Sequence, residues 1–186
     1  APALMLSRRR FLTGLAAAGV LGATGCTIPD GITSRERARC VPPDPLPGTH
    51  QLAGAPLTYE VAGRTRTFHL DPAFRQQPEA WAADWQETNG HRLDRIDTYG
   101  TWTDGRGQCD SWHHSGRALD IARLRLDGQA VVSCREDLWA NDPAAASLRR
   151  GYWALAAHLH IHFAYVLTYL YDDLHRNHIH LDNGVS

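Results

Sequence analysis

Residues 111–120 have the sequence SWHHSGRALD, which sets a histidine and an aspartate at a spacing that suits a metal site. His113 and Asp120 can converge on one ion if the chain turns tightly between them and then enters a strand. Alternate side chains of a strand project from the same face, so Asp120 would share its face with Ala118 and Ala122. Such small neighbours leave space for an ion beside the carboxylate.

A second histidine-rich stretch, HRNHIHLD, occupies residues 175–182. In an extended segment His178 and His180 project to the same side, about 7 Å apart along the strand. One of them can complete the set begun by His113 and Asp120, while the other stays close enough to reach a bound water. Two imidazoles, one carboxylate and an open fourth position are typical of catalytic zinc sites rather than closed structural ones.

The composition limits the classes of protein that the chain can represent. It has 186 residues, of which 43% are hydrophobic and 21% charged, as expected for one folded domain rather than a disordered chain. The 19 basic groups are balanced by 20 acidic groups. No net positive field would draw the protein to nucleic acid, so we exclude nucleic acid as a partner.

The pattern of the first residues indicates an export signal. Residues 7–12, SRRRFL, precede an uncharged run of small and apolar residues at 13–25, and Cys26 follows directly. This order resembles a twin-arginine signal with a lipoprotein cleavage box, and the apolar run is too short to span a bilayer. It predicts a signal peptide at 1–26, export by the twin-arginine route, and a lipid on Cys26 that anchors the protein to the outer face of the membrane at the cell envelope. Because Ala23 replaces the usual leucine, cleavage without lipidation stays open.

Three cysteines remain for disulfide pairing once Cys26 is assigned to lipid, and an oxidising destination favours such a bond. Cys109 lies just before the metal motif, and Cys134 follows the predicted strand pair after it. We therefore expect a bridge between Cys109 and Cys134, with Cys40 free. A bond from Cys40 to either of them is the alternative, because sequence does not determine connectivity.

Residues 27–50 are rich in proline and are predicted to form a tether, so the folded domain is expected at 51–186. Its predicted elements are strands at 57–61 and 66–70, a helix at 78–88, strands at 93–99, 119–126 and 129–133, a helix at 142–157, and strands at 163–168 and 179–182. The first two strands flank a turn at 62–64, and Asp127-Gly128 predicts a hairpin. Strands interrupted by helices indicate an α+β domain in which helices flank a small antiparallel sheet. Trp81 and Trp85 are expected in the core, with Gly90 ending the first helix.

The two histidine-containing stretches match the patterns SxHxxGxAxD and HxxHxH. The matching residues are Ser111, His113, Gly116, Ala118, Asp120, His175, His178 and His180. At these positions the chain resembles the extensin-like C-terminal domain, a bacterial relative of D-alanyl-D-alanine metallopeptidases, murein endopeptidases and hedgehog-type zinc domains. The resemblance covers residues 93–182. It implies a hedgehog-like or D-alanyl-D-alanine-peptidase-like fold.

The resemblance also implies a function and a set of site residues. It implies zinc held by His113, Asp120 and His180, and zinc-dependent hydrolysis of an amide bond in peptidoglycan stem peptides or their cross-links, by a carboxypeptidase or an endopeptidase. Carboxypeptidases of this group carry an acidic residue three positions before the final ligand, where this chain has Asn177. His178 is then the candidate base.

Further roles follow from the same comparison of motifs. His175 is expected to orient the base, as in murein endopeptidases with the same histidine spacing. Arg106, Arg117 or Ser111 would contact the oxyanion or the substrate.

Two other classes of function compete with the peptidase. Because Asn177 cannot accept a proton at neutral pH, the fold could be a zinc-containing module that binds cell-wall material without cutting it. A lipid-anchored structural protein would need no metal.

We expect His114 to be an exposed neighbour of the site. His158, His160 and His162 alternate along the sequence, but no turn or carboxylate accompanies them there, so we assign them no site.

Overall fold

Three α-helices and nine β-strands form in the part of the chain that the computed structural model describes, which is residues 41–61, 66–104, 106 and 109–184. The helices are α1 (Pro72–Asn89), α2 (Glu136–Trp139) and α3 (Ala146–His162). The strands are β1 (Gly48–Thr49), β2 (Gln51–Leu52), β3 (Ala55–Tyr59), β4 (Phe68–His69), β5 (Leu93–Gly100), β6 (Ala118–Leu126), β7 (Val131–Ser133), β8 (Tyr165–Leu167) and β9 (Ile179–Asp182). These elements confirm the α+β class.

The larger sheet is built around β6 and has the strand order β2-β3-β5-β6-β9-β8. On the side away from β5, β6 pairs with β9 through residues 118–121 and with β7 through residues 123–125. β3 runs parallel to β5, and the other neighbours are antiparallel, so this sheet is mixed. A parallel pair needs a long crossover connection, and α1 supplies it between β3 and β5.

A separate small antiparallel sheet pairs β1 with β4. The strands predicted at 57–61 and 66–70 therefore exist as β3 and β4, but they belong to different sheets. Residues 62–65, where the turn between them was expected, lie outside the described residues.

One face of the larger sheet carries the hydrophobic core. Leu119 and Ile121 of β6 are fully buried, in one cluster with Trp81 and Trp85 of α1 and with residues of α3. The prediction that both tryptophans are core residues is confirmed. Because side chains alternate along a strand, Asp120 points to the face opposite Leu119 and Ile121. The candidate metal ligand thus faces away from the helices.

Helix α1 begins at Pro72, well before the predicted range 78–88. The Asp71 side chain accepts hydrogen bonds from backbone N–H groups of the first turn, and Pro72 occupies a first-turn position where no N–H is required. These two adjacent residues form the start signal that the prediction missed. The helix ends as predicted at Gly90, which adopts φ 66°.

Helix α3 covers residues 146–162 instead of the predicted 142–157. Asp142 caps a preceding turn, since its Oδ1 accepts the Ala144 N–H at 2.8 Å and its carbonyl accepts the Ala145 N–H at 3.0 Å. The helix begins after that turn and extends through the three alternating histidines. Helix α2, a single turn, has no counterpart in the prediction.

The predicted hairpin and the predicted last strand are both present. β6 and β7 are joined through Asp127–Gln129, where Gly128 adopts φ 72°, so the predicted hairpin is confirmed. β9 has the predicted range 179–182, and β8 is a shorter version of the strand predicted at 163–168.

The described part of the predicted tether, residues 41–50, packs in the domain. Leu46 and Thr49 are buried, and the Val41 N–H donates to the His114 carbonyl at 2.8 Å. The folded domain therefore begins before residue 51, because these apolar and backbone groups have partners there.

The predicted signal segment, with Cys26, lies outside the described residues. Among the described helices, none is both long and apolar enough to cross a bilayer.

The predicted Cys109–Cys134 bridge is wrong. Cys134 is a free, fully buried cysteine in the hydrophobic core, and its backbone N–H donates to the Ala122 carbonyl at 2.8 Å. Burial raises the pKa of its thiol above the ordinary range. Cys109 is disulfide-bonded. Cys40 lies outside the described residues, and its pairing with Cys109 stays a prediction.

Candidate metal centre

Three chain segments bring one metal-ligating side chain each to the same place. His113 lies on a short 3-10 turn (Trp112–Ser115), Asp120 on β6 and His180 on β9. His113 Nε2 is 3.1 Å from Asp120 Oδ2 and 3.2 Å from His180 Nδ1, and His180 Nδ1 is 2.9 Å from Asp120 Oδ1. One ligand atom from each residue lies within 4.8 Å of the other two.

The turn that carries His113 has a local sequence cause. The Ser111 Oγ accepts the His113 N–H at 3.4 Å at the start of the turn, and Gly116 ends it at φ 70°. A Cβ at Gly116 would lie 2.8 Å from Leu46 Cδ1 and 3.0 Å from the Asp71 nitrogen. Both the left-handed backbone and the close packing therefore require glycine here.

In each of the two candidate histidine ligands, the nitrogen that faces away from the centre has an oxygen partner. His113 Nδ1 lies 3.3 Å from the Thr101 carbonyl, and His180 Nε2 lies 3.0 Å from Asp182 Oδ2. With a carbonyl or carboxylate accepting from the outer N–H, the inner nitrogen is the one left to bind an ion. This arrangement is usual for histidines that bind metals.

The charges of the centre favour a cation. Burial raises the pKa of Asp120, but His113 and His180 outweigh it and hold that pKa well below its usual range. Burial lowers the pKa of His180, yet Asp120 and Asp182 together raise it to about 9. The centre thus stabilises positive charge next to two largely buried carboxylates, and the donors present fit a zinc ion.

His178 lies next to this set of donors. Its Nε2 is 3.4 Å from Asp120 Oδ1, and its Nδ1 is 2.6 Å from Asn177 Oδ1. An amide oxygen only accepts, so in this contact His178 Nδ1 is the donor, while Nε2 faces the candidate metal centre. The Tyr99 ring packs edge-on against the imidazole, and burial lowers the pKa of His178 to about 4. Asn177 is therefore the hydrogen-bonding partner of His178, a role that its sequence position did not reveal.

His175 is also at the site, with a different partner from the one expected. Its Nδ1 lies 2.5 Å from Asp172 Oδ1, and its ring centroid is 5.1 Å from that of His178 and 5.9 Å from that of His180. It contacts His178 through the rings. Asp172, which sequence reasoning missed, also caps the 3-10 turn of residues 173–177. An aspartate three positions before a site histidine was the available signal.

Other residues assigned to the substrate or the oxyanion have local contacts. Ser111 caps the His113 turn, and Arg117 Nε lies 3.6 Å from Asp71 Oδ2. Arg106 is exposed, and its N–H donates to Asp104 Oδ1 at 2.9 Å. Contact of any of these three with substrate stays a prediction.

The prediction that His114 is an exposed neighbour of the site is wrong. It is buried, and its carbonyl accepts the Val41 N–H, while the Val41 carbonyl accepts the Trp102 indole N–H at 2.8 Å. These two hydrogen bonds hold the segment before β1 against the turn that carries His113, which explains the burial of His114.

An α+β domain with two histidines and one aspartate around a cation-stabilising centre is the class that the fold and the site define. The chain belongs to the family described as extensin-like protein C-terminus, whose model matches residues 58–185. All the residues of the candidate centre lie within that match. No curated protein matches the chain.

Proposed function

We propose that this domain is a zinc-dependent peptidase that hydrolyses an amide bond in the stem peptides or cross-links of peptidoglycan. The observation that carries the proposal is the convergence of His113, Asp120 and His180 beside His178, whose Nδ1 is 2.6 Å from Asn177 Oδ1. The resemblance of the two histidine motifs to those of D-alanyl-D-alanine metallopeptidases and murein endopeptidases supports the substrate class.

His113 Nε2, Asp120 and His180 Nδ1 would hold the ion. When bound, zinc supplies Lewis-acid activation of water and of the scissile carbonyl. The Thr101 carbonyl and Asp182 fix the two imidazole rings so that their inner nitrogens stay aimed at the centre. A rigid donor set of this kind keeps its geometry when the substrate arrives.

His178 would move the proton. Its Nε2 accepts a proton from the attacking water and returns it to the leaving amine, and Asn177 keeps that nitrogen free of hydrogen at the start. His175, held by Asp172, packs against the His178 ring and limits its rotation. The absence of a carboxylate at position 177 is thus compatible with a histidine base.

The second candidate is a zinc-containing module that binds peptidoglycan without cutting it. Asn177 favours it, because carboxypeptidases of the group carry an acidic residue at that place. The two candidates share the metal centre and differ only in turnover.

The deciding experiment measures metal content and hydrolysis in the same preparation. The purified protein should contain zinc and release peptides from peptidoglycan, detected by mass spectrometry, and His178→Ala should keep the zinc and lose the products. Zinc and peptidoglycan binding without products from the wild-type protein would establish the binding module. A protein that takes up no zinc would contradict both candidates.

The location of the activity is part of the proposal. Export through the twin-arginine route and lipid on Cys26 would place the domain at the cell envelope, on the outer face of the membrane. The support is the arginine-rich start, the short apolar run and the cysteine that follows it.

A further inference from the structure

A second group of metal-ligating side chains lies between α1 and α3, among the helices that cover the core face of the sheet. Asp84 Oδ2 is 2.8 Å from His162 Nε2 and 3.2 Å from His158 Nε2. Ligand atoms of these three residues all lie within 4.8 Å of one another. The group shares no residue with the first centre.

The spacing on α3 explains why two of its three histidines meet the aspartate. Residues four apart lie one turn above each other on the same helix face, so His158 and His162 both face α1, with their rings stacked at a centroid distance of 5.4 Å. His160 is exposed. The carboxylate that the sequence around the histidines lacks comes from α1.

The donor atoms of the three side chains converge on one point. Both imidazoles aim Nε2 at Asp84 Oδ2, whereas Asp84 Oδ1 accepts the Thr88 hydroxyl at 3.3 Å. The Asp84 side chain is 43% exposed, which leaves an entry path from solvent.

We propose that Asp84, His158 and His162 form a second site, which binds a divalent transition-metal ion such as zinc and fastens α1 to α3. Two imidazoles and a carboxylate suit zinc or cobalt, and poorly suit calcium or magnesium. Because the donors come from two helices, an ion bound there would stabilise the native packing and not the unfolded chain.

One feature predicts that this site is weaker than the first centre. The His158 Nδ1 is buried and has no hydrogen-bond partner among the described residues, and its ring stands edge to face against Trp85. In the first centre both outer nitrogens have an oxygen partner. Loss of such an outer partner lowers metal affinity by about 10- to 100-fold.

The test is a cobalt titration of the metal-free full chain, followed by visible absorption and repeated with zinc by calorimetry. The wild-type protein should bind two ions, one tight and one weaker. Asp84→Asn and His162→Gln should each bind one. His160→Gln is the matched control, since it removes an exposed histidine from the same helix, and it should still bind two.

Thermal unfolding supplies a second readout that does not depend on activity. A hundredfold excess of zinc over the weaker Kd should raise the Tm of the wild-type protein by roughly 5–10 °C more than that of Asp84→Asn. Equal numbers of bound ions in the wild-type protein and Asp84→Asn, or equal Tm increases in both proteins, would overturn the proposal and leave the group as a hydrogen-bonded contact. Peptidoglycan hydrolysis should be unchanged in Asp84→Asn, so failure of the second site is distinguishable from failure of the first.

Discussion

Asp120 and His180 lie directly opposite each other on β6 and β9, with Asp120 Oδ1 2.9 Å from His180 Nδ1. Opposed residues of antiparallel strands project from the same face with their Cβ atoms close together. The strand register therefore sets two of the three candidate ligands. Only His113 depends on a turn, and its placement depends on the packing of Gly116.

Asp182→Asn tests how the His180 ring is held. The amide keeps the size of the side chain but lacks the charge that binds the outer His180 N–H, so zinc affinity should fall about 10- to 100-fold while the fold is retained. Competition with a chelator measures the affinity, and circular dichroism checks the fold. Asp173→Asn, at an exposed position nearby, is the control and should bind zinc as the wild-type protein does. Equal affinities for Asp182→Asn and the control would show that Asp182 does not support the ligand.

Gly116→Ala tests the turn. A Cβ there meets Leu46 and the Asp71 nitrogen and also occupies a left-handed backbone. Gly128→Ala is a matched control, because Gly128 has a similar φ of 72° and open space around it. Backbone strain alone costs about 1–3 kcal/mol and applies to both variants. Because only Gly116→Ala adds a close contact, it should lose more unfolding free energy than Gly128→Ala. It should also lose zinc affinity. Urea denaturation measures the free energy of unfolding of both variants, and equal losses of that free energy would contradict the packing argument.

Much of the centre follows from local sequence patterns. The alternation around Asp120 predicts that it leaves the core face, and the HxH pattern places His178 and His180 on one side of an extended segment. Both stretches have strong short-range signals, since Gly116 marks the turn and β9 has the predicted boundaries.

The features that were missed depend on contacts between distant segments. Asp84 and His162 lie on different helices, and no local pattern pairs them. The buried Cys134 depends on how β7 ends against the core, which the position of a cysteine in the sequence does not show. The parallel pairing of β3 with β5 likewise follows from the whole of α1, whose start at Asp71 was missed because an aspartate followed by proline also begins many turns.

Thiol labelling tests the cysteine assignment. In the folded protein Cys134 should react slowly because it is buried and the pKa of its thiol is raised. In denaturant without reductant, a maleimide should label Cys134, and peptide mapping should leave Cys109 in a disulfide-linked peptide. Labelling of Cys109 under these conditions would contradict the bond.

Cys26→Ser tests the lipid anchor. If Cys26 carries lipid, its replacement should move the protein from the membrane fraction to the soluble fraction of the cell envelope, because the acyl chains supply the membrane affinity. Immunoblots of separated fractions measure the change. Cys134→Ser is the control for loss of a thiol and should leave the protein in the membrane fraction. A Cys26→Ser protein that stays membrane-bound would count against lipidation.

The last prediction concerns how Asn177 acts on His178. The 2.6 Å contact fixes the proton on His178 Nδ1, so removal of the acceptor lets the imidazole adopt the other tautomer, whose Nε2 cannot take a proton. His178→Ala should keep zinc and lower turnover about 10²- to 10⁴-fold, the usual contribution of a positioned base. Asn177→Ala should lower turnover as well, by a smaller factor, with zinc retained. Asn177→Asp keeps an acceptor oxygen and should preserve turnover.

The double variant Asn177→Ala/His178→Ala separates a positioning role from an independent one. If Asn177 acts only through His178, the double variant should be no slower than His178→Ala, since the acceptor has nothing left to orient. Additive losses would instead give Asn177 a contact with substrate of its own. A wild-type protein without turnover that gains it in Asn177→Asp would establish the binding module, because the added carboxylate would then supply the missing base.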